Sequence, residues 1–369
     1  MDLLILGASA RAAAFSALRL GLRPSCADLF ADADLAAACP SARVAPADYP
    51  EGLAAFAGRV APACWLYTGA IENRPGLVER ISARHELLGN PGATLRLVRD
   101  PIRLDGAVRD AGLDAPQVRL DPAALPEDGS WLSKPLASGG GRGIRPWRGG
   151  DSGRSVYYQE RVEGLPLAAL FSGDGSGSEL LGITRQFVGR PGNRFAYRGS
   201  LGPWPVAPEV REAVDRLGRA VASRFGLLGL FGVDLILLDG RPWPVEVNPR
   251  YTASVEVLEW ALGRSLLADH LRAFGRDVDD RGAISGPGGF VGKAIVHADR
   301  PIVWTRPFDG PADLAVLPEV ADVPHPGTSF HAGEPVLTVF ARGETAEACR
   351  RELAGRVKTW RARLRSGSA

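Results

Sequence analysis

The sequence predicts a mixed α/β and α+β protein of several domains, and three stretches lead to that view. Residues 3–6, LLIL, form a short apolar run followed by a GASAR turn and an alanine-rich helical stretch, the usual start of a buried parallel sheet. In residues 229–250 two apolar β-like runs flank Asp239-Gly240, which marks an antiparallel hairpin. From about residue 283 the chain turns to short β-like runs, FVGKAIVHA, RPIVWT and EPVLTVFARG, rich in Gly and Pro, before a last helix near 344–364.

The 369 residues suffice for two or three domains, and 45% hydrophobic with 23% charged content is ordinary for a globular chain. Basic and acidic residues cancel to a net charge of +2, and no basic run is interleaved with aromatics, so nucleic acid is not an expected partner. Cys26, Cys39, Cys64 and Cys349 are scattered without a C-x-x-C pair. That argues against zinc and for reduced, partly buried thiols in a cytosolic protein. The strand-turn-helix pattern begins too early for a signal peptide, and no apolar run approaches the ~20 residues of a membrane span.

Taken in order, the opening is Rossmann-like, with its helix running to Leu20 and stopped by Gly21. G-x-S-x-R lacks two glycines of the dinucleotide fingerprint, so no dinucleotide is expected. A second strand at 23–28 ends in Asp28, and a third at 63–67 precedes Thr68–Asn73. Loops at the carboxyl ends of parallel strands bind ligands, which makes Ser9, Arg11, Asp28, Glu72 and Asn73 candidate substrate contacts. Capping and turn roles explain each of them equally well. A helix is expected over 76–90, a break at Gly89-Asn90-Pro91-Gly92, and a helix over 100–111 ended by Gly112.

Further on, Gly173–Ser178 reads as a loop between β-like runs. Residues 191–205 show no clear periodicity; their Arg194, Tyr197 and Arg198 suit an anionic or ring-bearing substrate, or simply an exposed loop. Residues 208–226 give the clearest helix, with Pro208 at its start, a stripe of Val210, Val214, Leu217, Val221 and Phe225, and Gly226 at its end. A helix after Arg250 places Thr252 and Ser254 near whatever chemistry the preceding strand carries. The histidines of the terminal region receive no role.

Two stretches carry chemistry. In residues 131–164 a short apolar strand bearing Lys134 runs into Gly139, Gly140, Gly141 and Gly143. Glycines let successive backbone N–H groups turn inward around anionic oxygens, and the lysine adds a localised positive charge, so the stretch looks like a triphosphate clamp. Of the 44 basic residues only Lys134, Lys293 and Lys358 are lysines, which singles this one out. A flexible surface hairpin is the alternative for the segment by itself. The second stretch, GLFGVDLILLDGRPWPVEVNPR, brings Asp234, Glu246, Asn248 and Arg250, oxygen ligands of the type Mg²⁺ takes. A two-residue turn at Asp239-Gly240 would set Asp234 on the sheet face opposite Glu246 and Asn248; a loop one residue longer, or a bulge, sets them together. The longer loop is the expectation, because a metal needs both carboxylates on one side.

In combination these stretches are similar to the ATP-grasp superfamily. SKPLASGGGRGIR resembles the glycine-loop strand of biotin carboxylase, VEVNPR resembles the superfamily's glutamate-x-asparagine metal strand with its arginine, and YYQERVEG, residues 157–164, resembles the hinge strand whose backbone holds adenine. YTGAIENRP, LGN, VRDP and EVNPRYTAS are similar to predicted carboligases of that superfamily, some of which occur beside methanopterin-type cofactor pathways. The resemblance implies a Rossmann-like domain over 1–95, a small lid subdomain over 96–164, a larger ATP-grasp subdomain over 165–282 and a β-rich domain over 283–369. It implies ATP and Mg²⁺ as cofactors. Lys134 and the glycines would hold phosphates, the backbone around Glu160, Arg161 and Val162 adenine, Glu163 the ribose, and Asp234, Glu246 and Asn248 the metal; Lys134 and Arg250 would serve catalysis. One departure stands out: Pro101 occupies the place of the superfamily's first lysine, leaving Arg99 or Arg103 to supply that charge.

The function implied is an ADP-forming ligase that joins a small-molecule carboxylate to an amine through an acyl-phosphate, in biosynthesis of a methanopterin- or methanofuran-type one-carbon carrier. A carboxylase-like enzyme using carboxyphosphate and a non-catalytic ATP sensor are the alternatives, and a homodimer is the assembly entertained.

Overall fold

The computed structural model describes residues 1–150, 155–279, 284, 286, 288–310 and 313–366. The chain begins with a five-stranded parallel sheet ordered Ser41–Arg43, Arg23–Asp28, Asp2–Leu6, Cys64–Tyr67 and Glu86–Leu87. The central strand, Asp2–Leu6, is apolar from Leu3 onward, as burial on both faces requires, and Leu4, Ile5 and Leu6 are fully inaccessible. The helix expected over 76–90 is shorter, Pro75–Ser82, because Glu86 and Leu87 leave it to pair with Cys64 and Trp65. The expected helix over 100–111 spans Pro101–Asp110, with Asp100 accepting from the amides of Ile102 and Arg103 and Pro101 in the first turn. This cap explains why a proline stands at 101.

Four short strands, Val118–Arg119, Val156–Glu160, Trp131–Pro135 and Arg145–Pro146, make a small sheet that carries Lys134. An eight-stranded antiparallel sheet follows, ordered Arg241–Asn248, Leu228–Leu238, Leu165–Asp174, Ser178–Arg190, Asn193–Gly202, Phe290–His297, Pro335–Gly343 and Val320–Ala321. Strands from the terminal region thus extend the same sheet that holds the acidic hairpin. Residues 191–205, expected as a loop without periodicity, instead form an inner strand, Asn193–Gly202. Bulges at Phe187/Val188 and Val188/Arg190 break its pairing with the preceding strand, and with it the simple alternation that would have betrayed a strand.

The helix Pro208–Phe225 packs its predicted stripe, Val210, Val214, Leu217, Val221 and Phe225, against Leu167, Phe171, Val233 and Leu235 on one face of the large sheet. Full burial of such side chains contributes about 1.5–3 kcal/mol each. Gly218 lets the helix approach closely, since a Cβ there would sit 2.2 Å from the Phe171 ring. With Val233 and Leu235 turned to this core, the alternating Gly232 and Asp234 turn to the other face, where the candidate site lies.

Motifs at the chain's first break tie the parallel sheet to the large one. The Asn90 side chain donates to the carbonyls of Leu228 and Pro249, both at 3.2 Å, and accepts from the Leu228 amide at 3.1 Å. Tyr67 Oη donates to the Asn90 carbonyl at 2.7 Å, and His270 bridges the Leu88 carbonyl and the Leu230 amide. Among the described residues no helix is long and apolar enough to cross a membrane.

Candidate functional site

The hairpin forms a two-residue turn, with Leu238 opposite Arg241 and positive φ at Asp239 (49°) and Gly240 (74°), so the longer loop expected from the sequence does not form. The register is corrected further along: Leu235 faces Pro244 whereas Asp234 faces Glu246, which leaves Val245 as a bulge. Asp234 and Glu246 therefore meet across the ladder, and Asn248, two residues on, shares their face. The extra residue also has a use of its own, since Lys134 Nζ donates to the Val245 carbonyl at 3.2 Å and to Gln159 Oε1 at 2.9 Å.

Lys134, Gly139, Gly141 and Glu246 line one cleft, open to solvent, between the small sheet and the hairpin. Its lining combines apolar side chains, Val98, Leu104, Val108, Ala115, Val118 and Ile144, with the polar Arg99, Asp105, Lys134, Ser138 and Glu246. Such a lining suits a ligand that carries both an apolar ring and anionic groups. Gly140, Gly141 and Gly143 all have positive φ, and a Cβ on Gly141 would lie 1.9 Å from the Phe195 carbonyl oxygen. Only glycine lets the loop rest on the Asn193–Gly202 strand in this way. Glu160, Arg161, Val162 and Glu163 continue past Gln159 at the end of the lysine's neighbouring strand and are not in the cleft wall. The amides of Glu160 and Arg161 bond to the Gln117 and Ser130 carbonyls, and Arg161 pairs with Glu163 at 2.6 Å.

Asp234 accepts from Gln186 Nε2 at 2.8 Å and from Asn248 Nδ2 at 3.1 Å. Burial, then the neighbouring Glu246 charge, pushes its carboxyl up to about 6. Glu246 moves the other way: burial would raise it, but Arg99, Lys134 and Arg250 together hold it below the usual range. Two carboxylates facing each other across the ladder, with Asn248 on the same face, form an oxygen set of the kind Mg²⁺ takes once the Asn248 amide, whose Nδ2 faces Asp234 and whose Oδ1 faces Arg250, turns over; a divalent cation would relieve the part of the Asp234 shift that comes from Glu246. The residues fit Mg²⁺. Among the described residues no group of three or more His, Cys, Asp or Glu side chains is arranged to hold a metal ion, so the set relies on two carboxylates and an amide.

Arg250 is pinned by Glu72, whose carboxylate lies 2.8 Å from Nε and is 1% exposed, and by Asn248 Oδ1 at 3.0 Å. Arg99 reaches into the cleft and pairs with Glu246, and its other nitrogen donates to Asn73 Oδ1 at 2.9 Å and the Ser138 carbonyl at 3.3 Å. Arg103 instead lies on the surface beside Asp100. The remaining candidates are spread out. Arg11 is buried and ion-paired with Glu256 and Asp322, and Asp28 accepts from the amides of Ala10, Phe30 and Ala31. Ser9 is exposed, and its carbonyl takes the Thr68 hydroxyl. Arg194 is exposed, Tyr197 Oη meets Ser200 Oγ at 3.0 Å, and Arg198 donates to the Gly189 carbonyl. Thr252 caps the Ala253–Leu262 helix without a side-chain bond, and Ser254 Oγ meets Thr184 Oγ1 at 2.8 Å. Gln159, Gln186 and Ser138 were not foreseen; Gln159 alone had a signal, lying two residues from Tyr157 on the strand beside Lys134.

The family profile described as the ATP-grasp domain matches residues 98–254, the span that holds the cleft, the glycine loop and the hairpin. Residues 98–254 form an ATP-grasp domain. The fold around the ATP-grasp domain is biotin-carboxylase-like. The biotin carboxylase domain of Hydrogenobacter thermophilus 2-oxoglutarate carboxylase superposes with a TM-score of 0.74 over 96% of this chain and 89% of that one, at 14% identity. Phosphoribosylamine–glycine ligase of Thermotoga maritima gives 0.69 over 97% and 96%, at 17% identity. In sequence, an uncharacterised protein of Methanocaldococcus jannaschii is 24% identical over 188 residues, 51% of this chain and 42% of that relative. The chain thus spans less than half the length of that curated relative.

Proposed function

We propose that the ATP-grasp domain makes this chain an ATP-dependent, ADP-forming ligase that joins a carboxylate to an amine. The observation that carries the proposal is the convergence of Lys134 and Glu246, 112 residues apart in sequence, on one cleft that the glycine loop also lines. The solved neighbours support a ligase or a carboxylase, since one is a biotin carboxylase domain in complex with MgADP and bicarbonate and another is by name a phosphoribosylamine–glycine ligase.

In this proposal the apolar side chains of the cleft and the backbone of Glu160–Val162 would take the adenine and Glu163 the ribose, while Lys134 and the amides of Gly139–Gly143 hold the phosphates. Asp234, Glu246 and Asn248 would hold Mg²⁺, which would neutralise charge on the phosphate oxygens. A substrate carboxylate oxygen attacks the γ-phosphorus, and ADP leaves with the electron pair of the broken P–O bond. An amine nitrogen then attacks the acyl carbon; phosphate departs as the C–O bond breaks, and the amine proton passes to solvent. Arg250, held in place by Glu72 and Asn248, stabilises the oxyanion that develops between those events. Positioning and charge do the chemistry, in keeping with the absence of a nucleophile–base pair from the sequence. The motifs shared with predicted carboligases favour a place in the making of a one-carbon-carrier cofactor.

The test is ADP release from MgATP with pools of carboxylic acids and amines, with hydroxylamine present to trap an acyl-phosphate as its hydroxamate. Hydroxamate formation that requires one acid supports the proposal, and Glu246→Gln abolishes it while leaving the fold intact. Turnover dependent on bicarbonate alone would shift the assignment to the carboxylase, and tight MgATP binding with no turnover in any pool would make the chain a sensor.

A further inference from the structure

Arg99 stands where three parts of the molecule meet. One nitrogen engages the Glu246 carboxylate and the Val247 carbonyl of the hairpin; another engages Asn73 Oδ1 from the parallel-sheet domain and the Ser138 carbonyl at the root of the glycine loop. Asn73 Nδ2 donates to that same Ser138 carbonyl at 3.1 Å, closing the junction. The guanidinium is 14% exposed and the Glu246 carboxylate 27%, so the pair is shielded from solvent on most sides. The carboxylate it occupies is also one of the two that fit a divalent cation.

A guanidinium and a divalent cation compete for one carboxylate, because two positive centres would then lie within a few ångströms of each other in a half-buried site. We infer that Arg99 is a positioning residue that gates Glu246: metal and guanidinium exchange on this carboxylate, and the displaced Arg99 is handed to the phosphates that share the cleft with it. The cleft lets this happen with a small movement, since Arg99, Lys134, Gly139 and Glu246 all line it. The same exchange leaves the Ser138 carbonyl held by Asn73 Nδ2 alone, so metal binding loosens the glycine loop's root as the loop takes up its ligand. The inference rests on the proposed nucleotide site, and it makes one demand that the site alone does not: Arg99 must act with opposite sign on metal and on nucleotide.

The experiment measures two affinities on the full chain, Mn²⁺ alone by electron paramagnetic resonance and ADP with Mg²⁺ by calorimetry. Arg99→Gln binds Mn²⁺ at least about tenfold more tightly than the wild type, the factor expected when a charge-assisted bond competing for the carboxylate is lost. It binds MgADP about tenfold more weakly, because a phosphate-facing cation has gone. Arg99→Lys, a safeguard against misfolding, keeps the charge and stays within about threefold of the wild type for MgADP while still gaining Mn²⁺ affinity, since ammonium cannot span Glu246, Asn73 and Ser138 together. Unchanged Mn²⁺ affinity in both variants, or variants that weaken metal and nucleotide alike, overturns the exchange. Wild-type protein that binds no MgADP would overturn the nucleotide site itself, a different failure.

Discussion

Asp234 is the residue whose replacement separates stability from function. Its carboxyl is pushed from 3.8 to about 6 by burial and by Glu246, so the folded state holds a proton that the unfolded chain has already released. A group with a raised native pKa contributes stability below its unfolded pKa and loses that contribution as pH rises through the native one. The loss therefore falls between pH 4 and 6 and stays constant above it. A shift of this size corresponds to about 3 kcal/mol, and the partial exposure of the site reduces it to about 2 kcal/mol. Asp234→Asn escapes that penalty but turns one N–H toward the donors Gln186 Nε2 and Asn248 Nδ2, at a cost of about 1 kcal/mol if an amide rotates to meet it. The variant should thus be about 1 kcal/mol more stable than the wild type at pH 8 and about 1 kcal/mol less stable at pH 4. Urea unfolding at both pH values reads this directly, and millimolar Mg²⁺ should raise the midpoint of the wild type but not of the variant. A gap that does not change with pH, or a variant less stable at pH 8, would refute the claim that burial and the neighbouring Glu246 raise the Asp234 carboxyl in this fold.

Lys134→Ala removes the cation held between Gln159 and the Val245 carbonyl, and MgADP affinity measured by calorimetry should fall at least about tenfold with the urea midpoint little changed. Gly141→Ala drives a Cβ into the Phe195 carbonyl at a positive φ; it should abolish measurable MgADP binding while far-ultraviolet circular dichroism stays that of the wild type. Asn90→Ala strips three hydrogen bonds from the junction between the two large sheets, at a cost of about 2–4 kcal/mol seen as a lower urea midpoint.

The parts of this protein that were legible in the sequence are those in which local pattern and global fold agree. The Arg23–Asp28 strand, the Pro208–Phe225 helix with its αL Gly226 stop, and the lysine strand each carry their own period and punctuation. Glycines with a lysine, and a glutamate with an asparagine two residues on, announced the cleft because phosphate and Mg²⁺ demand those groups whatever surrounds them. What stayed hidden depends on partners distant in the chain. Asn193–Gly202 is a strand because neighbours on both sides supply its hydrogen bonds, while its own bulged sequence does not alternate. Gln186 could not be assigned to Asp234, 48 residues away, until the sheet order was known.

The hairpin shows why the right grouping can follow from a wrong local reason. Chemistry required Asp234 and Glu246 on one face, and a longer turn was the simplest device to put them there. The chain keeps the tight turn that Asp239-Gly240 favours and inserts its extra residue seven positions from Leu238, at Val245. A residue added at the turn would have corrected the register and done nothing else. Placed beside the site, it removes one carbonyl from the ladder and presents it to Lys134, so the irregularity that aligns the carboxylates also orients the cation facing them. Deleting Val245 should therefore disturb both sides of the cleft at once, whereas lengthening the distant turn should disturb only the face on which Glu246 and Asn248 lie.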